Sequence, residues 1–241
     1  MPKQRTKKPQ RSAAATVRDR VTRGKLRYWK HADFGDLPPS AVAMTLSRLA
    51  REGVLQRVGK GVYFRPTQTS FGPSLPAASG VASQTLRAPL HPAGLSAANT
   101  LGLSTQNPGH PEYATPAPGP PTALRGSVVH TGRPTQRGSL SVEDGAILET
   151  LRDRARYSDL PPTQTVRRLL RLLADERRFT ALVDVAMAEP PRVRAMLGAI
   201  GEELDMPPRL LERLKDSLNP LSRFDFGSLR SLRHAKDWQA K

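Results

Sequence analysis

A helical repeat that runs directly into a glycine-centred turn is the feature that most restricts the fold of this chain. Across residues 40–53, apolar side chains recur at spacings of four and three, which predicts an amphipathic helix. Two β-prone runs follow, residues 55–58 and 62–65, and they flank Gly59-Lys60-Gly61. Short β-prone runs joined by such a turn predict a β-hairpin.

The residues before this helix complete an order of elements. Ser12 precedes an alanine-rich stretch that ends at Gly24, with Val17 and Val21 four residues apart, and this pattern predicts a first helix. The segment between the two helices is short, partly extended and interrupted by a pair of prolines. The order helix, short strand, short helix, helix, hairpin is typical of a winged helix-turn-helix, which we predict over residues 12–66.

The flanking segments differ in composition. Residues 1–11 are basic, contain no acid and are predicted to form a disordered basic arm. Residues 67–140 are rich in Pro, Gly, Ala, Ser and Thr, which fits either a linker or a small α/β unit. The second alternative rests on a helical stretch at 94–101 and on extended stretches at 112–115 and 124–130.

Residues 141–241 are predicted to form a C-terminal helical bundle. Ser141 lies three residues before Asp144, which predicts an N-cap, and proline pairs at 161, 190 and 207 separate later apolar stripes. The first of these stripes comprises Ile147, Leu148, Leu151 and Ala155. The predicted fold class is therefore α+β, mostly α, with an N-terminal winged helix-turn-helix, a small α/β middle unit and a C-terminal helical bundle.

The charge distribution indicates the kind of partner. The chain has 38 Lys and Arg against 21 Asp and Glu, a formal charge of +17, which favours a polyanion such as DNA, RNA or an anionic membrane. Residues 1–66 hold sixteen of the basic residues and only four of the acidic ones.

No apolar run is long enough to span a bilayer or to act as a signal peptide, and there is no cysteine. We therefore expect a cytoplasmic protein with no membrane partner.

A helical wheel predicts which residues contact DNA. On the helix from Ser40 to Gly53, one side is small or basic and carries no acid, which suits insertion into the major groove of duplex DNA. Arg48 and Arg51 are candidates for base edges or phosphates, and Met44 for a thymine methyl. The hairpin adds phosphate-binding candidates. The predicted DNA-binding residues are Ser40, Met44, Ser47, Arg48, Arg51, Arg57, Lys60 and Arg65. The alternative for each is an ordinary solvated surface.

Other residue patterns give no support for catalysis. The five histidines are scattered without metal-ligand spacing, and Glu202 and Glu203 would not share a helix face, so a solvated helix end is the better interpretation. No nucleotide-binding glycine motif or nucleophile motif occurs. We expect no enzyme activity, cofactor or metal. Aromatic residues in the first 66 positions are expected in the core rather than in base stacking.

Three segments, residues 15–21, 43–53 and 55–63, resemble the AbiEi-like antitoxins of type IV toxin–antitoxin systems. The residues that carry the resemblance are Leu46-Ser47-Arg48-Leu49 and Arg57-Val58-Gly59-Lys60-Gly61. Residues 96–106 look like the segment that opens the second domain of that family. The resemblance covers residues 12 to about 130 and does not extend into the helical C-terminal part.

The resemblance implies an autorepressor that binds its own promoter and also counters a cognate toxin with a nucleotidyltransferase fold. Whether the toxin is bound directly, and the oligomeric state, are left open. Two alternatives remain at this point. One is a stand-alone transcription regulator whose C-terminal bundle senses a ligand or dimerises. The other is a protein-interaction adaptor in which DNA contacts are secondary.

Overall fold

The computed structural model describes residues 12–24, 27–70, 72–74, 76, 78–85, 88–120, 124 and 126–241. It shows an α+β architecture dominated by helices. The chain divides into two compact units. We call residues 1–86 the N-terminal unit and residues 87–241 the C-terminal unit. The predicted basic arm at residues 1–11 lies outside the described residues.

The N-terminal unit contains three helices, a three-stranded sheet and a small two-stranded sheet in its described part. In chain order these are α1 (Ala13–Arg23), β1 (Tyr28–Lys30), a 3-10 helix (His31–Phe34), α2 (Pro39–Arg51), β2 (Gln56–Gly59), β3 (Val62–Phe64), β4 (Gln68–Thr69), β5 (Gly72–Pro73) and α3 (Ala78–Thr85). The larger sheet is antiparallel in the order β1-β3-β2. The hairpin expected from the sequence is therefore present as β2 and β3.

Local residue chemistry explains where these elements begin and end. The Ser12 hydroxyl accepts a hydrogen bond from the Ala15 amide at 3.2 Å and caps α1. Gly53 follows α2 with a φ of 76°, and Gly61 closes the hairpin with a φ of 71°. Both values lie in the left-handed region, where glycine has no side-chain penalty.

The core of the N-terminal unit lies between α1, α2 and the larger sheet. It comprises Val17, Val21, Trp29, Phe34, Val42, Leu46, Leu49, Leu55 and Tyr63. Trp29 and Phe34 stack with ring centroids 5.4 Å apart, and Phe64 is also buried. Tyr28 is half-buried and packs on Phe64. The interpretation of these aromatic residues as core is confirmed, since buried rings cannot stack on bases.

The C-terminal unit begins with short strands and continues as a helical assembly. Its elements are β6 (His91–Pro92), α4 (Gly94–Thr100), β7 (Glu112–Ala114), β8 (Val128–His130), a 3-10 helix (Thr135–Ser139), α5 (Val142–Arg152), α6 (Pro162–Leu173), α7 (Glu176–Ala186), α8 (Pro191–Glu203), α9 (Pro208–Asp216) and a 3-10 helix (Gly227–Ser231). β7 pairs antiparallel with β6 and parallel with β8. The stretches expected at 94–101, 112–115 and 124–130 thus contain α4, β7 and β8.

The division of the chain differs from the predicted boundaries at 66/67 and 140/141. It falls at 86/87, because Arg27 donates to the Ser74 hydroxyl at 3.0 Å and α3 packs on β2. Residues 87–140 belong to the same compact unit as the later helices. Leu101 and Leu103 share one hydrophobic cluster with Ile147 and the later helices. The segment whose composition is typical of linkers therefore contributes residues to the core.

The first stripe of the C-terminal helices ends earlier than predicted. α5 stops at Arg152, and Arg154 and Ala155 follow with φ values of 61° and 52°. Ala155 is nevertheless buried. Its side chain therefore reaches the predicted core from a left-handed turn and not from a helix.

Glu202 and Glu203 lie at the end of α8, where the sequence suggested a solvated helix end, and both are half-buried and hydrogen-bonded. Glu202 accepts a hydrogen bond from Trp238 Nε1, and Glu203 accepts one from the Arg233 amide at 2.9 Å. The Trp238 ring lies so close to Gly198 that any Cβ at that position would overlap it. These contacts join α8 to residues that follow it by 30 to 40 positions in the sequence. Local sequence patterns do not extend over such a separation.

A buried network of charges crosses the C-terminal unit. Arg137 donates from Nε to Glu189 at 2.6 Å and from Nη1 to Glu149. Arg133 and Arg152 complete the network at 2.8 Å from Glu149 and 2.6 Å from Glu189. Burial raises the pKa of Glu149, but the hydrogen bond from Arg133 and the Arg137 charge outweigh it and hold that pKa below its usual range. The Glu149 carboxylate is therefore charged, and two arginines compensate it.

Candidate nucleic-acid interface

α2 presents opposite faces to the core and to water. Val42, Thr45, Leu46 and Leu49 are buried, whereas Ser40, Met44, Ser47, Arg48 and Arg51 are exposed. Because α2 is an uninterrupted helix of 13 residues, its straight axis holds these five side chains on one side. The structure thus brings together all of the residues that the sequence predicted on this helix.

Two open grooves flank the exposed face of α2. One, of about 550 Å³, is lined by Ala14, Ala41, Ala43, Met44, Thr45, Ser47, Arg48 and Arg51. The other, of about 560 Å³, is lined by Ser47, Ala50, Arg51, Gly53, Leu55, Gln56, Arg57, Tyr63 and Pro66. Ser47 and Arg51 line both grooves. α2 therefore stands as a ridge between a depression beside α1 and one beside the hairpin.

The basic side chains on this ridge are not equivalent. Arg48 Nε lies 3.7 Å from Glu52, which also pairs with Arg18. Arg51 and Arg57 form no ion pair within the part of the chain that the structure describes. Both guanidinium groups line the groove beside the hairpin, so this groove presents positive charge that can attract phosphate.

The acids of the N-terminal unit lie away from the ridge or are neutralised. Arg20 donates two hydrogen bonds to Asp36, at 2.7 and 2.6 Å, and these hold the pKa of that carboxyl below its usual range. Asp19 pairs with Arg23 at 3.0 Å, and Asp33 accepts from the Lys30 amide at 2.7 Å. Unpaired negative charge that would repel phosphate is thus absent from the described exposed face of α2.

The hairpin residues separate into two groups. Lys60 is exposed at the turn and Arg57 is exposed on β2, positions from which both can reach a phosphate backbone. Arg65 is different, because its Nη1 donates to the carbonyl oxygens of Val21 and Thr22 at 2.7 and 2.8 Å. Since this guanidinium is engaged with the end of α1, we leave Arg65 out of the candidate interface.

Sequence reasoning missed the residues that shape the grooves. Ala14, Ala41 and Ala43 form the apolar floor and walls beside Met44, and Gln56 lines the groove beside the hairpin. The alternation that makes Leu55 buried and Gln56 exposed was visible in the sequence. The approach of Ala14 to α2 was not, because it depends on how two helices pack.

The remainder of the described chain offers no competing site of a metal or membrane type. Within the described ranges, no group of three or more His, Cys, Asp or Glu side chains is placed to hold a metal ion. Among the same residues, no helix combines the length and apolar character needed to cross a bilayer.

Comparison with known proteins places part of the chain in a family context. Residues 17–118 match the model of DUF6088, described as a family of unknown function. No curated protein matches the chain. Among solved structures, the RV2827C protein from Mycobacterium tuberculosis matches with 17% sequence identity and a TM-score of 0.48, over 86% of this chain and 82% of that one. Neither of these two matches names a function.

Proposed function

We propose that the N-terminal unit is a winged helix-turn-helix that binds duplex DNA, with α2 as its recognition helix and the β2–β3 hairpin as its wing. The observation that best supports this proposal is the exposed face of α2, which lies between two open grooves. Its exposed side chains are Ser40, Met44, Ser47, Arg48 and Arg51. A helix of this width fits the major groove of B-DNA. Lys60 at the tip of the wing then follows the adjacent backbone.

Electrostatics support a nucleic acid over a neutral partner. Arg51, Arg57 and Lys60 form no ion pair with described residues, and each is exposed. Cations of this kind gain free energy from phosphates mainly by releasing counterions, so binding should weaken steeply as salt rises.

We further propose that the protein represses its own promoter and acts as the antitoxin of a type IV system, countering a nucleotidyltransferase-fold toxin. This part rests on the resemblance of residues 15–21, 43–53 and 55–63 to AbiEi-like antitoxins. In this proposal the C-terminal unit counters the toxin, because all of the proposed DNA-binding residues lie in the N-terminal unit.

The alternative is a stand-alone regulator whose C-terminal unit senses a ligand or dimerises. The cavity beside Gly94, Ala98 and Asp153 in that unit has a volume of about 10 Å³, enough for about one water molecule. A cavity of this size does not hold a small molecule. The antitoxin proposal is placed first because of the resemblance of residues 15–21, 43–53 and 55–63 to that family.

Retardation of the protein's own promoter fragment at near-physiological salt tests the DNA-binding proposal. The double variant Arg48→Ala, Arg51→Ala should weaken binding at least about tenfold, since each guanidinium contact to a base or phosphate contributes on the order of 1 kcal/mol or more. Arg177→Ala, Arg209→Ala is the matched control, because both arginines are exposed in the C-terminal unit. Equal affinity of the double variant and wild type would refute the recognition helix.

Co-expression with the product of an adjacent nucleotidyltransferase-like gene tests the antitoxin proposal separately. Wild type and the Arg48→Ala, Arg51→Ala variant should both restore growth, since the altered residues lie in the DNA interface. Toxicity that persists with wild-type protein would remove the antitoxin role and leave the stand-alone regulator.

A further inference from the structure

The exposed side of α2 has a restricted chemistry. Between Pro39 and Arg51 there is no Asn, Gln, Asp, Glu, His or Lys. Thr45 is buried, so the hydrogen-bonding side chains that α2 exposes are those of Ser40, Ser47, Arg48 and Arg51.

These residue types limit which bases the helix can read. In the major groove, adenine is recognised by the paired donor and acceptor of a carboxamide, and cytosine by a carboxylate that accepts from its amino group. Guanine is recognised by the two donors of an arginine, and thymine by an apolar contact with its methyl group. α2 has neither a carboxamide nor a carboxylate side chain, but it exposes arginine and an apolar side chain.

Met44 supplies the apolar contact. It is 73% exposed, although methionine is a residue that usually packs in cores. The groove around it is lined by Ala14, Ala41 and Ala43, whose small side chains leave room for a second apolar group beside the thioether. A thymine methyl matches this site in size and polarity.

Arg51 supplies the guanine contact. Arg48 is held by Glu52, whereas Arg51 forms no ion pair within the described residues. On a helical wheel at about 100° per residue, Arg51 falls within about 20° of Met44. The two side chains therefore point in nearly the same direction, from positions about 10 Å apart along the helix axis.

We propose that α2 reads a thymine through Met44 and a guanine through Arg51, spaced by about three base pairs. The spacing follows from the separation along the helix and the rise of about 3.4 Å per base pair, with the helix axis following the groove. This inference rests on the proposed DNA-binding function and specifies the sequence class of its site.

Selection of bound duplexes from a random pool by the full-length protein provides the first test. The recovered sequences should share a thymine and a guanine two to four base pairs apart. The contacts are then tested in the recovered duplex, by replacing that thymine with deoxyuridine, which removes only the methyl, or that guanine with 7-deazaguanine, which removes the N7 acceptor.

Deoxyuridine should weaken wild-type binding about fourfold, the effect of one buried methyl, and should have no effect on Met44→Ala. Similarly, 7-deazaguanine should weaken wild-type binding about fivefold or more and leave Arg51→Ala unchanged. Leu221→Ala is the control for Met44→Ala, since Leu221 is 88% exposed in the C-terminal unit, and it should respond to deoxyuridine as wild type does.

The possible failures are distinguishable. Absence of any duplex binding at low salt would overturn the proposed function together with this inference. Duplex binding without a shared thymine and guanine, or a deoxyuridine effect that is equally large in Met44→Ala, would overturn the inference alone. Preference for single-stranded nucleic acid or duplex RNA over duplex DNA would overturn the proposed function and the inference together, because neither presents these groups in a wide major groove.

Discussion

Arg65 Nη1 donates a hydrogen bond of 2.7 Å to the carbonyl oxygen of Val21, and a second of 2.8 Å to that of Thr22. The end of the hairpin is thereby joined to the last turn of α1, whose carbonyl groups have no partner within the helix. A positive charge at a helix C-terminus is also favoured by the helix dipole. Arg65 thus connects two elements on either side of the recognition helix.

Replacement of Arg65 by Ala should destabilise the N-terminal unit by about 1–3 kcal/mol, the range for lost hydrogen bonds from a charged donor. Hydrogen exchange of the α1 amides should accelerate, whereas those of α8 should keep their rates. Arg23→Ala is the control, because Arg23 is an exposed cation on the same turn. Loss of DNA affinity with unchanged α1 exchange would instead indicate a phosphate contact.

Replacement of Lys60 by Ala should weaken binding to every duplex by a similar factor. A lysine at the tip of the hairpin contacts phosphate and not base edges, so the slope of log affinity against log salt should fall by about one unit. Fluorescence anisotropy at several salt concentrations measures both effects. Lys236→Ala serves as control, and a defect confined to one operator would contradict the phosphate role.

Replacement of Glu189 by Gln should destabilise the C-terminal unit by about 3–5 kcal/mol, because it removes the carboxylate that pairs with Arg152 and one of the two that pair with Arg137 in a buried network. Urea unfolding measures the loss. Glu212→Gln should have little effect, since Glu212 is exposed. Equal stability of the two variants would show that the network contributes nothing.

His91 should make the C-terminal unit sensitive to mild acid. Burial lowers the pKa of this imidazole in the folded state, so below about pH 6.5 the unfolded chain binds a proton that the folded chain does not. Unfolding free energy should therefore fall as the pH drops from 6.5, by at most about 1.4 kcal/mol per pH unit. Above pH 6.5 the contribution is fully present.

The pH dependence can be checked by unfolding wild type and His91→Gln between pH 5 and 7.5. The variant should show a flatter profile than wild type, because the buried imidazole that titrates has been removed. Identical slopes for wild type and His91→Gln would contradict the assignment.

Local patterns were sufficient to predict much of the N-terminal unit. The Ser12 cap, the spacing of Val17 and Val21, and the glycines around Lys60 act over a few residues, and α1 and the hairpin lie where those signals placed them. The residues on the exposed side of α2 could also be predicted, from the helical spacing of its apolar residues. Burial on one side leaves the other side to water, so Arg48 and Arg51 were predictable as surface residues.

Contacts between distant segments were not predictable in the same way. Arg65 looked like a free hairpin cation because its partners, Val21 and Thr22, are backbone carbonyls more than forty positions earlier. Leu101 lies in a segment whose composition is typical of linkers, and its burial depends on α5. Such contacts leave no periodic signal, since packing in three dimensions determines them.

The fit of Trp238 against Gly198 has a consequence for synthesis of the protein. At about 5–20 residues per second, a ribosome completes α8 several seconds before Trp238 emerges. Until then the ring that fills the space beside Gly198 is missing, so this part of the C-terminal core closes only after Trp238 has been made.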